Sequence, residues 1–153
     1  MILGIDPGLA NIGWAVLKNE NEAVDSGCLV TKLNSDSTER LAFIYNKLEE
    51  IIKKYKVETV SLESLFFAKN AKSALPVAEA IGVIKLCGVE NGCRVVEYTP
   101  LQIKMALVGY GRAEKEQVEA MVRNQLGLKE RVKISHEADA MAAALTECFT
   151  MKI

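Results

Sequence analysis

The stretch Met1–Leu17, MILGIDPGLANIGWAVL, decides how the rest of the chain is read. An apolar run (Ile2, Leu3, Ile5) ends on one acid, Asp6; Pro7-Gly8 follows, then a second apolar run from Ile12 to Leu17. Apolar runs this short, bounded by turn residues, read as buried strands. Pro7 fixes its own φ and Gly8 tolerates a positive one, so the chain can reverse directly after the acid. Asp6 is therefore expected at the carboxyl end of a core strand, where α/β sheets carry their sites. Taken alone, it reads more readily as an Asp opening a turn. The positions of the other acids decide between the two.

Working outward, Ala23 to Leu33 reads as a third strand, completing an antiparallel meander. Thr38 to Tyr55 carries Leu41, Ile44, Tyr45, Leu48, Ile51 and Ile52 at helical spacing, so an amphipathic helix is expected. Thr59 to Leu62 is a short apolar strand that ends on a second acid, Glu63. A loop with Leu65, Phe66 and Phe67 follows, then a helix from about Ala71 to Gly92. Pro76 suits only a first helical turn, which places the start near Ser73 or demands a kink. Arg94 to Tyr98 is a fifth strand; Thr99-Pro100 is a cap and first-turn Pro for a helix through Leu107. After a Gly109–Arg112 loop come a helix over Ala113–Leu126, a charged connection at Lys129–Lys133, and a last helix from a Ser135 cap through Phe149. Strands in this order give one α/β domain over residues 1–153, a five-stranded mixed sheet flanked by helices.

The bulk numbers narrow the function classes. The 153 residues are half apolar with a formal charge of −1, enough for one core and too balanced for a polybasic binder. Local basic patches remain compatible with nucleic acid. No apolar run reaches membrane-span length and no secretory signal opens the chain, so a cytoplasmic protein is expected. Cys28, Cys87, Cys93 and Cys148 form no C-x-x-C pair and the chain has one histidine, which points to reduced thiols rather than a zinc site or disulfides.

A right-handed crossover through the 38–55 helix makes the strand at 59–62 parallel to the first. If these strands are neighbours, Asp6 and Glu63 leave the same sheet edge side by side. His136 and Asp139 are three apart on the last helix and share a face that could lie over that edge. Singly, Glu63 is a strand-end acid, Asp139 a residue favoured by the helix dipole and His136 a cap. Together they would be carboxylates too close to stay charged without divalent cations or raised pKa values. Mg²⁺ takes such oxygens, and two ions about 4 Å apart serve in-line attack of water on a phosphodiester. Lys69 and Lys72 beside Phe66 and Phe67, and Lys104, Arg112 and Lys115 farther on, suit a nucleic-acid backbone with an unstacked base on a ring, or an ordinary solvated face.

Five stretches then stand out: GIDPG at Gly4–Gly8, E-x-x-F-x-A-K-N at Glu63–Asn70, S-A-L at Ser73–Leu75, V-G-Y-G-R-A-E-K at Val108–Lys115 and H-E-A-D-A-M-A-A-A at His136–Ala144. Over essentially the whole chain and in this order, they resemble the RuvC family of Holliday-junction endonucleases. The resemblance implies a ribonuclease-H-like fold and a homodimer that nicks two symmetry-related strands of a four-way DNA junction. It implies two Mg²⁺ per active site with Mn²⁺ as a substitute, and a branch-migration helicase complex as partner. Asp6, Glu63 and Asp139 match its metal-binding carboxylates. His136 falls where many members carry Asp and some carry His, as a neutral ligand or a proton shuttle. Phe66 matches the aromatic that stacks on an unpaired base, and Lys104 and Lys115 the basic residues near the scissile phosphate. The helix from Ser73, with Ala74, Ala78, Ile81 and Gly82, matches the dimer helix. Trp14-Ala15 and Pro76 depart from the family's usual residues. The rivals are an RNA-acting nuclease of the same fold, a catalytically inactive junction-binding module, and an actin-like phosphate-binding lobe, for which the chain lacks the second lobe.

Overall fold

Alternation along the strands determines which side of the sheet each residue faces. In the computed structural model, which describes residues 1–32, 34–65, 71–128 and 135–151 and only the backbone at 71–73, the strands are β1 (Ile2–Asp6), β2 (Asn11–Asn19), β3 (Glu22–Val30), β4 (Thr59–Glu63) and β5 (Arg94–Tyr98). The helices are α1 (Ser37–Tyr55), α2 (Ala71–Glu90), α3 (Pro100–Val108), α4 (Lys115–Gln125) and α5 (Ser135–Thr150). The sheet order is β3-β2-β1-β4-β5, antiparallel between the first three strands and parallel from β1 to β5. The expected mixed sheet and meander are present.

One face of the sheet carries large apolar side chains. Leu3, Ile5, Ile12, Val16, Val60 and Leu62 pack there against Ile44, Leu48, Ile52, Ile81 and Ile84 of α1 and α2. The alternate residues face the other way: Ile2 and Leu17 at one end, then Gly4, Asp6, Gly13, Ala15, Ser61 and Glu63, which are small or polar. Helix α5 lies on that second face, with α3 and α4 completing its core through Ile103, Leu107, Val118 and Val122. Small residues on both partners bring helix and sheet close. A Cβ on Gly4 would sit 2.0 Å from the Ala140 carbonyl oxygen, and one on Gly13 would sit 1.9 Å from that of His136. The Ser61 hydroxyl donates to the Ala143 carbonyl at 2.7 Å, fixing the same helix to β4.

Two sequence expectations change. Pro76 lies inside α2, which begins at Ala71, where the apolar run had suggested, and not near Ser73, where a first-turn Pro would have put it. Having no N–H, it leaves the carbonyl one turn back without its helical partner. Ile81, expected on a dimer face, is 6% exposed and belongs to the core beneath α2. Apolar residues surround α2, so their pattern did not specify which side faces inward. Ala78 and Gly82 do face outward and Ala74 is half-buried. The four cysteines are free thiols; Cys87, Cys93 and Cys148 are buried. Among the described residues no helix is long and apolar enough to cross a membrane.

Candidate active site

The parallel register pairs Ile5 with Leu62, so Asp6 and Glu63 follow as neighbours at the carboxyl ends of β1 and β4. Both lie on the face covered by α5. The glycine contacts hold the first turns of α5 over that edge, where His136 Nδ1 stands 2.6 Å from Asp6 Oδ2. One turn on, Asp139 Oδ2 is 2.6 Å from the Lys115 ammonium at the start of α4. Glu63, Lys104, Lys115 and Asp139 line a cleft of about 270 Å³ floored by Ile103 and Val118. Five separate segments thus deliver the expected acids, imidazole and two lysines to one edge of the sheet.

Their electrostatics are those of a crowded acidic site. Burial pushes the Glu63 carboxyl up to about 7, and the charges of Asp6 and Asp139 add to the push against opposing Lys115 and Lys104. Burial likewise raises Asp6 despite the His136 hydrogen bond. Around Lys115, burial works to lower the pKa, but the bond to Asp139 and the charges of Asp139 and Asp6 outweigh it and hold the ammonium charged. With its proton on Nδ1, a neutral His136 donates to Asp6 and leaves the Nε2 lone pair free.

Three carboxylates and an imidazole are the hard-oxygen and nitrogen donors that Mg²⁺ or Mn²⁺ accepts. The raised Glu63 pKa marks a surplus of buried negative charge that a dication would relieve. By donor chemistry and charge the residues fit such an ion. Among the described residues no three His, Cys, Asp or Glu side chains already surround one point. Asp6 contacts His136, and Asp139 contacts Lys115.

Arg112 is exposed on the α3–α4 loop and does not line the cleft. Phe66 and Lys69, like the expected connection over 129–133, lie outside the described residues, as does the Lys72 side chain. Sequence reasoning missed Gly4, Gly13 and Ser61, which seat α5; their signal was small residues at alternate positions in otherwise apolar strands. It also missed Glu147, 1% exposed on α5, which accepts from the Tyr98 hydroxyl and the Arg94 guanidinium.

Comparison with known proteins assigns this arrangement to a family. The model of "Crossover junction endodeoxyribonuclease RuvC" matches residues 2–147. The chain belongs to the RuvC family of crossover junction endodeoxyribonucleases. The RuvC of Fusobacterium nucleatum is 43% identical over 148 residues, covering 95% of this chain and 78% of that relative. The structure of Thermus thermophilus RuvC superposes with a TM-score of 0.92 at 35% identity, covering 99% of this chain and 95% of that one. The same protein in complex with Holliday junction substrate gives 0.90 at 33% identity, covering 99% and 94%. The fold is therefore ribonuclease-H-like, as the five motifs implied.

Proposed function

We propose that this protein resolves four-way DNA junctions by paired, symmetric nicks, hydrolysing one phosphodiester at each of two equivalent sites. The observation that carries the reading is the convergence of Asp6, Glu63, His136 and Asp139 at one sheet edge beside Lys104 and Lys115. Likeness to a RuvC solved with its Holliday junction supports the substrate.

In this reading Asp6, Glu63 and Asp139, with His136, hold Mg²⁺, for which Mn²⁺ can substitute. The bound ions supply charge stabilisation to the phosphate and lower the pKa of attacking water. Lys104 and Lys115 neutralise the phosphate and keep the scissile strand over the cleft. The Nε2 of His136 is placed to bind an ion or take a proton from water, with Asp6 fixing the ring through Nδ1. Phe66, Lys69, Lys72 and Arg112 add further contacts to the DNA.

A single site can only nick, whereas a two-fold junction calls for a two-fold enzyme. The outward face of α2 supports a homodimer. Leu75, Ala78, Gly82, Leu86 and Val89 recur at helical spacing on it, and Leu75, Leu86 and Val89 are 66%, 53% and 63% exposed. Nothing stands within 4 Å of a Cβ built at Gly82, so a second helix could approach there. The same reading places the protein in the cytoplasm, acting on junctions with a branch-migration helicase complex.

The test is nicking of a synthetic four-way junction with Mg²⁺ against matched linear duplex and RNA–DNA hybrid. Asp6→Asn should keep junction binding and lose cleavage by a factor of at least about 100. Cutting at the wild-type rate by that variant would remove Asp6 from the metal site.

A further inference from the structure

Two lysines share the cleft and differ in what they hold. Lys104 lines it without an ion pair among the described residues, whereas the Lys115 ammonium is 2.6 Å from Asp139 Oδ2. The pair is open to solvent on the lysine side, the Lys115 side chain being 48% exposed. The Asp139 side chain is 26% exposed, the pair joins the first residue of α4 to α5, and both residues line the cleft floored by Ile103 and Val118.

If Asp139 is a metal ligand, as the reading above has it, Lys115 holds one of its two carboxylate oxygens and sets a positive charge beside the other. An ammonium and a dication sharing one carboxylate repel each other, so loading the ion is disfavoured while Lys115 stays. Its flexible four-carbon stem allows it to move, because only its tip is fixed by a polar contact. A DNA phosphate entering the cleft offers that tip an alternative anion, and Lys104 stands on the same lining to help hold it.

We propose that Lys115 latches Asp139 until a phosphate of the DNA backbone draws the ammonium away, so that metal loading at Asp139 is coupled to arrival of the substrate. The coupling is reciprocal: whatever factor DNA adds to metal affinity, metal adds to DNA affinity. It also has a use. Charged carboxylates stay neutralised by a protein cation between turnovers, and the hydrolytic ion is completed only over a bound strand.

The latch is tested on the full chain with metal alone. Mn²⁺ binding, followed by electron paramagnetic resonance without DNA, is expected to tighten about tenfold in Lys115→Met, which keeps the apolar stem. That gain should disappear in an Asp139→Asn background. A gain of equal size in that background would mean only that a nearby positive charge had been removed, and would overturn the latch. Unchanged or weaker binding in Lys115→Met would overturn it too; Lys115→Gln, judged by the same criteria, guards against a folding defect. The substrate half is read from junction affinity with and without Ca²⁺. The wild-type ratio should exceed the Lys115→Met ratio severalfold, and equal ratios overturn it. If Asp6→Asn bound Mn²⁺ like the wild type, the metal reading beneath the latch would fall instead.

Discussion

Two carboxylates on one helix meet different fates. Asp139 and Glu147 are eight positions apart on α5, about 12 Å along its axis, and each faces a basic side chain of a neighbouring element. Glu147 is buried and takes two donors, the Arg94 guanidinium and the Tyr98 hydroxyl. Asp139 is partly open to the cleft and takes one, from a lysine on a swinging stem. A buried charge with several fixed donors is costly to disturb and ties elements together. A charge held by one flexible ammonium at a cleft mouth can change partners. On the same scaffold, the first arrangement secures β5 to α5, and the second leaves a carboxylate available for chemistry.

The comparison depends on α5 lying where it does, and the strongest way to break it is to lift the helix. Gly4→Ala would put a methyl 2.0 Å from the Ala140 carbonyl oxygen and 2.8 Å from the Ala144 methyl, with no flexible side chain to give way. We expect a loss of more than about 3 kcal/mol of stability in denaturant unfolding, with both cleavage and metal binding gone. A folded Gly4→Ala protein with wild-type cleavage would mean that the close helix–sheet contact does not position the site.

How much of this was legible beforehand differs between the two ends of α5. Asp6 and Glu63 could be brought together from sequence because strand periodicity and crossover handedness are local rules with few solutions. His136 and Asp139 followed from helical spacing and the family motifs. The seat of α5 is a matter of shape: Gly4 and Gly13 matter for the atoms they lack, and the alternation of small residues marks the positions without saying what fills the space. Glu147 was hidden for another reason. In the run Thr146-Glu147-Cys148 it reads as a polar position, and its burial depends on Arg94 and Tyr98, about fifty residues away. Ile81 was misplaced because α2 is apolar on every side, so inward and outward faces look alike until the sheet and α1 are in place.

The locked end can be broken by itself. Arg94→Ala leaves Glu147 buried with the Tyr98 hydroxyl as its remaining donor. Breaking a fully buried pair costs about 3–5 kcal/mol, but the Arg94 side chain is 52% exposed, so about 2 kcal/mol is expected in urea unfolding. Cleavage by the folded fraction should stay near the wild-type rate, since neither residue reaches the cleft. A large loss of cleavage without loss of stability would erase the division between the two ends.

The smallest effect sharpens the open end. Glu63 titrates near 7 in the folded protein against about 4.5 unfolded. Between those values the folded state binds more protons than the unfolded one, so this group lowers stability as pH rises through the window. The penalty is complete above pH 7 and absent below about pH 4.5; Asp6, also raised, acts in the same direction. Glu63→Gln removes the charge while keeping the shape. In EDTA it should therefore melt about 2–4 °C above wild type at pH 8.5, and the difference should vanish near pH 4. Adding Mg²⁺ should narrow the gap at pH 8.5, because only the wild type then has its surplus charge neutralised. A variant less stable than wild type at pH 8.5 would mean that Glu63 contributes to holding the fold together, and that the carboxylates at this sheet edge are not in conflict.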